Sequence, residues 1–200
     1  MPLALIVLSY FIGAVPTGLL LVRLLKGMDI RRLGSGNIGA VNVLRVAGAG
    51  TAVAVLAVDI LKGLVPTLLA SRVGFSSPWL VVLCGLAAIA GHNWSVFLGF
   101  HGGKGIATSY GVLLGMSQPA AALAAVVWVV VVAVTRYSSL GSLLAVASVP
   151  FALWWLHQPT EYVYFGIIAA VFAIYRHRGN IQRLVVGREL RITDRGAPRT

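Results

Sequence analysis

Long apolar runs separated by short basic connections constrain this chain more than any other feature. Runs dominated by Leu, Val, Ile, Ala and Phe occupy residues 1–25, 51–69, 79–100, 105–116, 120–135, 140–156 and 162–175. A helix that crosses a bilayer needs roughly 20 such residues. Several of these runs are shorter, but in hydrocarbon only a helix or a closed barrel satisfies every backbone donor and acceptor. Hydrophobic residues make up 58% of the chain and charged residues 10%, against about a quarter charged in a soluble domain. The pattern predicts an all-α membrane protein, a compact bundle of seven transmembrane helices. Five crossings are the alternative and require neighbouring runs to merge. Residues 105–135 would then form one long helix with Pro119 in its middle, which a proline disfavours.

The basic residues orient that bundle. Residues 1–25 carry no charge before Arg23, and the cations Arg23, Lys26, Arg31 and Arg32 follow the apolar run. A cleavable signal has the reverse order, so the run reads as an uncleaved first helix with its N-terminus outside. Seven crossings then put 26–50, 101–104, 136–139 and 176–200 inside, together with Lys26, Arg45, Lys104, Arg136 and the basic C-terminus. The outer connections hold Arg72 and Glu161, which satisfies the positive-inside rule. Six crossings would strand the basic tail outside. A net charge of +11 suits anionic headgroups or small phosphorylated ligands. No nucleic-acid partner is expected, because the cations sit in short connections and not on a broad aqueous face. The lone Cys84 excludes an intrachain disulfide and reads as a small buried hydrophobe. Without repeats or low-complexity linkers, residues 1–189 read as one membrane domain and 190–200 as a basic cytoplasmic tail.

Three of the inner segments carry candidate chemistry. Gly34-Ser35-Gly36-Asn37-Ile38-Gly39-Ala40-Val41-Asn42, followed by Arg45, matches the spacing of a dinucleotide fingerprint. That fingerprint needs a soluble strand–helix context, which a loop between membrane spans does not offer. Its physical content remains: small residues let backbone amides approach an anion, and Arg45 brings charge. His101-Gly102-Gly103-Lys104-Gly105 opens the next helix. With Leu98 five residues before Gly103 and Gly105 after Lys104, it is not a nucleotide-binding P-loop, yet amides at a helix start plus a lysine still favour an anion. Arg176-His177-Arg178-Gly179-Asn180 ends the last run, and His177 and Asn180 would share a face if that helix continued. His92, near the inner end of its span, is a further candidate, because an intramembrane histidine usually faces protein or a water-filled cavity. Asp59 and Lys62, at i and i+3, read as a mutually neutralising structural pair. Ser138, Ser139 and Ser142 are a weaker signal, since serine also serves helix packing.

Some chemistries are absent. No histidine has an aspartate five residues on, there is no GxSxG elbow, and five acids spread along the chain do not build a carboxylate-rich magnesium site.

The segments GSGNIGAVN at 34–42, DILKG at 59–63, GHNW at 91–94, GFHGGKGIAT at 99–108, YRHRGNIQRL at 175–184 and GRE at 187–189 together resemble the bacterial acyl-phosphate:glycerol-3-phosphate acyltransferases, the PlsY family. The resemblance implies transfer of a fatty acyl group from acyl-phosphate to the primary hydroxyl of glycerol 3-phosphate in a bacterial plasma membrane, with the motif loops cytoplasmic. It implies no cofactor and no metal; the partners are the two phosphorylated substrates and membrane lipid. Ser35, Asn37, Lys104 and His177 are the expected catalytic residues. Gly36, Gly39, Asn42, Arg45, His92, Gly102, Gly103, Gly105, Ser142 and Asn180 are the expected binding residues, with Arg45, Lys104, His177 and Asn180 at glycerol phosphate. The proton of the attacking hydroxyl goes to His177 or to the departing phosphate. No carboxylate is expected near the loops, which favours the phosphate. A transporter of small phosphorylated anions is the rival reading.

Overall fold

The computed structural model describes residues 2–73 and 77–194. Among them run ten α-helices: α1 (Pro2–Ala14), α2 (Thr17–Lys26), α3 (Ala40–Ala47), α4 (Ala49–Val73), α5 (Pro78–Asn93), α6 (Ile106–Met116), α7 (Gln118–Thr135), α8 (Ser138–Trp155), α9 (Thr160–Arg176) and α10 (Arg178–Val185). Each of the seven apolar runs is helical over most of its length. Among the described residues, five segments are long and apolar enough to cross a membrane: Pro2–Lys26, Ala49–Val73, Pro78–Leu98, Gln118–Thr135 and Ser138–Trp155. The 11 residues of α6 reach only about 16 Å. Large apolar side chains such as Leu24, Val126, Val134, Phe151 and Val171 are exposed on the outer faces. Such a surface suits lipid and not water.

The first run is not one continuous helix. Pro16 has no N–H for the carbonyl of Ile12, so the chain breaks between α1 and α2. The carbonyls exposed there find other donors: Ser95 Oγ donates to Ala14 O at 2.6 Å and Lys62 Nζ to Val15 O at 3.0 Å. The break therefore ties α1 to α4 and to the end of α5.

Small residues set the closest crossings. A Cβ at Gly91 would collide with the carbonyl oxygen of Tyr10, so α5 lies directly on α1. A Cβ at Gly111 would collide with the carbonyl oxygen of Ile60, so α6 lies directly on α4. In a bilayer, where apolar burial drives helix association weakly, this backbone approach is the main source of attraction. Farther along, α7 packs on α8 and α8 on α9.

The four segments assigned to one side by charge meet at one end of the bundle. Arg45 donates to the carbonyls of Leu190 (3.1 Å) and Arg191 (2.9 Å). Ile192 N–H donates to Arg136 O at 2.8 Å. Arg176 donates to Gly102 O at 2.7 Å and Gly103 O at 2.9 Å. The first of these segments is fastened by an apolar cluster in which Ile30, Ile38 and Val43 pack with Leu19 and Val22 of α2 and Val55 of α4.

Candidate active site

A cavity of about 350 Å³ lies where these segments meet and continues between α6, α7, α8 and α9. Its polar end is bordered by Ser35, Asn37, Arg45, Lys104, His177 and Asn180. Its other arm is bordered by Leu113, Ala124, Val129, Val146, Val149 and Phe165. One end is cationic and the other is apolar.

The first loop is built around Asn42. Buried at the start of α3, its Oδ1 accepts from Ser35 N–H at 2.8 Å, and its Nδ2 donates to Asn37 O at 2.9 Å and Leu33 O at 3.1 Å. Asn37 Oδ1 accepts from Gly39 N–H at 2.8 Å, the local turn that Asn favours. Gly36 N–H donates to Leu33 O. The amides of residues 35, 36 and 39 thus hold the loop itself, and Asn42 is its buckle. Arg45, one turn beyond Asn42, lies on the same face of α3.

The second loop folds against the end of α5. Gly102 N–H donates to Asn93 O at 3.1 Å and Gly103 N–H to His92 O at 3.0 Å. These amides pair carbonyls that α5 leaves open at its C-terminus. A Cβ at Gly102 would collide with the carbonyl oxygen of His92, so only glycine lets the loop sit this close. Gly105 has φ 76°, which glycine adopts freely, and it starts α6. Lys104 is thereby held against the cavity. Burial pushes its ammonium down to about 8, with the Glu189 carboxylate opposing. Near pH 7 it remains mostly protonated. Ile106 and Ala107, in the first turn of α6, border the same space.

The third segment breaks at His177, so His177 and Asn180 do not share one continuous helix; both nevertheless border the cavity. His177 Nδ1 lies 2.7 Å from Ala173 O. A carbonyl only accepts, so Nδ1 carries the proton and Nε2 keeps its lone pair. Burial, and next the charge of Lys104, push His177 down to about 4, leaving a neutral ring at physiological pH.

The expected absence of a carboxylate does not hold. After Gly187, at φ 66°, the chain turns back and brings Glu189 to the polar end of the cavity. Asn180 Nδ2 donates to its Oε1 and Arg183 Nε to its Oε2 at 2.8 Å. Arg183, which borders the cavity, also escaped the site reading, because basic residues at the end of a span are explained by topology alone. The GRE segment at 187–189 was the available signal for Glu189.

Other expected residues take supporting positions. His92 borders the cavity with its Nδ1 3.9 Å from Asp59 Oδ1, and Asp59 pairs with Lys62 at 2.8 Å. Ser142 Oγ donates to Ser138 O at 2.8 Å and accepts from Trp128 Nε1 at 3.3 Å, fixing the indole beside the apolar arm. Gly39, Asn42 and Gly105 border the cavity, whereas Gly36, Gly102 and Gly103 support it from behind.

The model of the glycerol-3-phosphate acyltransferase family matches residues 3–187. The chain belongs to that family. A glycerol-3-phosphate acyltransferase of Desulforudis audaxviator is 51% identical over 188 residues, covering 94% of each chain. Glycerol-3-phosphate acyltransferase 2 of Moorella thermoacetica is 48% identical, covering 95% of this chain and 97% of its own. Two crystal structures of the integral membrane acyltransferase PlsY superpose closely. The glycerol 3-phosphate form has a TM-score of 0.91 at 40% identity, and the lysophosphatidic acid form 0.89 at 39%. Each covers 95% of this chain and is itself covered to 94%. The family is the one that the motif segments resemble.

Proposed function

We propose that this acyltransferase moves a fatty acyl group from acyl-phosphate to the sn-1 hydroxyl of glycerol 3-phosphate, giving lysophosphatidic acid and inorganic phosphate. The observation that carries this reading is the two-ended cavity: cations at one end for phosphate, an apolar arm for an acyl chain. Crystal forms of similar proteins with glycerol 3-phosphate and lysophosphatidic acid support it.

Arg45, Lys104 and Asn180 hold glycerol phosphate, and Ser35 and Asn37 face the acyl-phosphate. As the hydroxyl oxygen bonds to the acyl carbon, the carbon–oxygen bond to phosphate breaks and the proton goes to the departing phosphate. Glu189 already accepts from Arg183 and Asn180, and His177, held neutral with a low proton affinity, is a weak base. Both points favour the phosphate as acceptor. His177 Nε2 accepts a hydrogen bond from the sn-2 hydroxyl, which orients the glycerol and leaves the sn-1 proton free to reach the phosphate. In the bilayer the seven apolar helices alternate direction from an outside N-terminus, with the site at the cytoplasmic face of a bacterial plasma membrane.

The test is product formation by purified protein supplied with acyl-phosphate and glycerol 3-phosphate. Wild-type protein forms lysophosphatidic acid and Lys104→Ala loses at least 100-fold in kcat/KM. Full activity in Lys104→Ala would remove that lysine from the phosphate site. Flux of glycerol 3-phosphate into vesicles without product would replace the enzyme with a transporter.

A further inference from the structure

The start of α8 borders the junction between the two ends of the cavity and has no part in the chemistry described so far. Ser138, Ser139 and Ser142 all line it there, and Val146 and Val149 continue the same face of α8 into the apolar arm. Among these, Ser142 is committed to Ser138 O and Trp128. Ser139 is different: it is 6% exposed, and its Oγ has no hydrogen-bond partner among the described residues.

An unpaired hydroxyl in such a place is costly, since burial takes away its hydrogen bonds to water without replacing them. It lies one turn before Ser142 and at the N-terminus of an 18-residue helix, whose first N–H groups have no intrahelical acceptor. Both features favour a developing negative charge at the boundary between the phosphate end and the acyl arm. The atom of an acyl-phosphate that lies at such a boundary is its carbonyl oxygen.

We propose that Ser139 is a catalytic residue whose hydroxyl donates to the acyl carbonyl oxygen as it becomes an oxyanion, assisted by the dipole of α8. The inference rests on the acyl-transfer reading of the cavity. When the glycerol hydroxyl attacks, the carbonyl electron pair moves onto oxygen, and it returns as phosphate departs. Ser139 keeps its own proton throughout. Because the donor is aimed at charge present only during transfer, it lowers the barrier more than it tightens binding.

The experiment compares wild type, Ser139→Ala and Ser139→Thr for kcat, KM for acyl-phosphate and thermal stability in detergent. Ser139→Ala is expected to lose about 100-fold in kcat with KM changed less than about threefold. Its melting temperature is expected to be unchanged or higher, because no hydrogen bond within the protein is lost. Ser139→Thr, which keeps the hydroxyl, is expected to recover a substantial part of the rate. Wild-type-like kcat in Ser139→Ala overturns the assignment, as does a rate loss accompanied by lowered stability and no recovery by threonine. Wild-type protein that makes no lysophosphatidic acid overturns instead the reading on which the proposal rests.

Discussion

The ionisation of Lys104 should set the alkaline limit of the reaction. Its ammonium is pushed down to about 8 by burial, and only the protonated form attracts phosphate. With that value the charged fraction is about nine-tenths at pH 7 and about one-tenth at pH 9, so kcat/KM falls about tenfold over the interval, equivalent to roughly 1.4 kcal/mol. A lysine at its ordinary value near 10.4 would lose only about 4% of its charge by pH 9. The direction follows from the sign: function needs the cation, so activity is present below the lysine's pKa and is lost as pH rises through it. Because kcat/KM reports the free enzyme, bound phosphate does not mask the shift. On the acid side, a phosphate monoester loses its second negative charge near pH 6. His177, already neutral, adds no limb between pH 5 and 9. The assay is the initial rate of phosphate release from acyl-phosphate in detergent micelles, with the enzyme-free rate subtracted at each pH. Lys104→Arg, whose guanidinium stays charged, should lack the alkaline limb in whatever activity it retains. A wild-type profile that stays flat to pH 9.5 would refute the argument.

Two further outcomes follow from the bundle. Lys62→Met leaves Asp59 buried without its cation and removes a donor from Val15 O, so it should cost about 3–5 kcal/mol of stability, seen as a lower melting temperature in detergent. Adding Asp59→Asn should restore much of the loss; a stable single variant would show that the pair does not support the fold. Ala124→Phe, on α7 beside the apolar arm, should shift preference from hexadecanoyl- toward dodecanoyl-phosphate while leaving KM for glycerol 3-phosphate within about twofold. An unchanged chain-length profile would place the acyl group elsewhere.

Helix positions and the grouping of loops were legible because they depend on local chemistry. An apolar run must satisfy its own backbone in lipid, and this held for all seven runs, including α6, which is too short to be recognised as a span by length. Pro16 was equally visible as a proline, but its consequence depended on Ser95 and Lys62 arriving from other helices. At the site, Arg45, Lys104, His177 and Asn180 were legible as a set of motif residues, and they share one cavity. Glu189 was not assigned, because its approach needs the turn at Gly187 that returns it to Asn180 and Arg183.

The glycine loops mark the same boundary. Their composition announces backbone amides near an anion, yet Gly102 and Gly103 direct theirs to Asn93 and His92, and residues 35, 36 and 39 direct theirs into their own loop. What the glycines provide is close approach, which places Lys104 and the start of α6. Sequence alone determined the solvent of this chain, its helices, the shared end of its basic segments and the family of its motifs, since hydropathy, charge and spacing are properties of neighbouring residues. Only the tertiary structure decided which amides are already paired, which histidine nitrogen holds the proton, that Glu189 joins the site and that Ser139 has no hydrogen-bond partner among the described residues. Pairings such as those of Gly102 and Gly103 depend on groups that folding brings close, as Arg191 is brought to Arg45 across 146 positions.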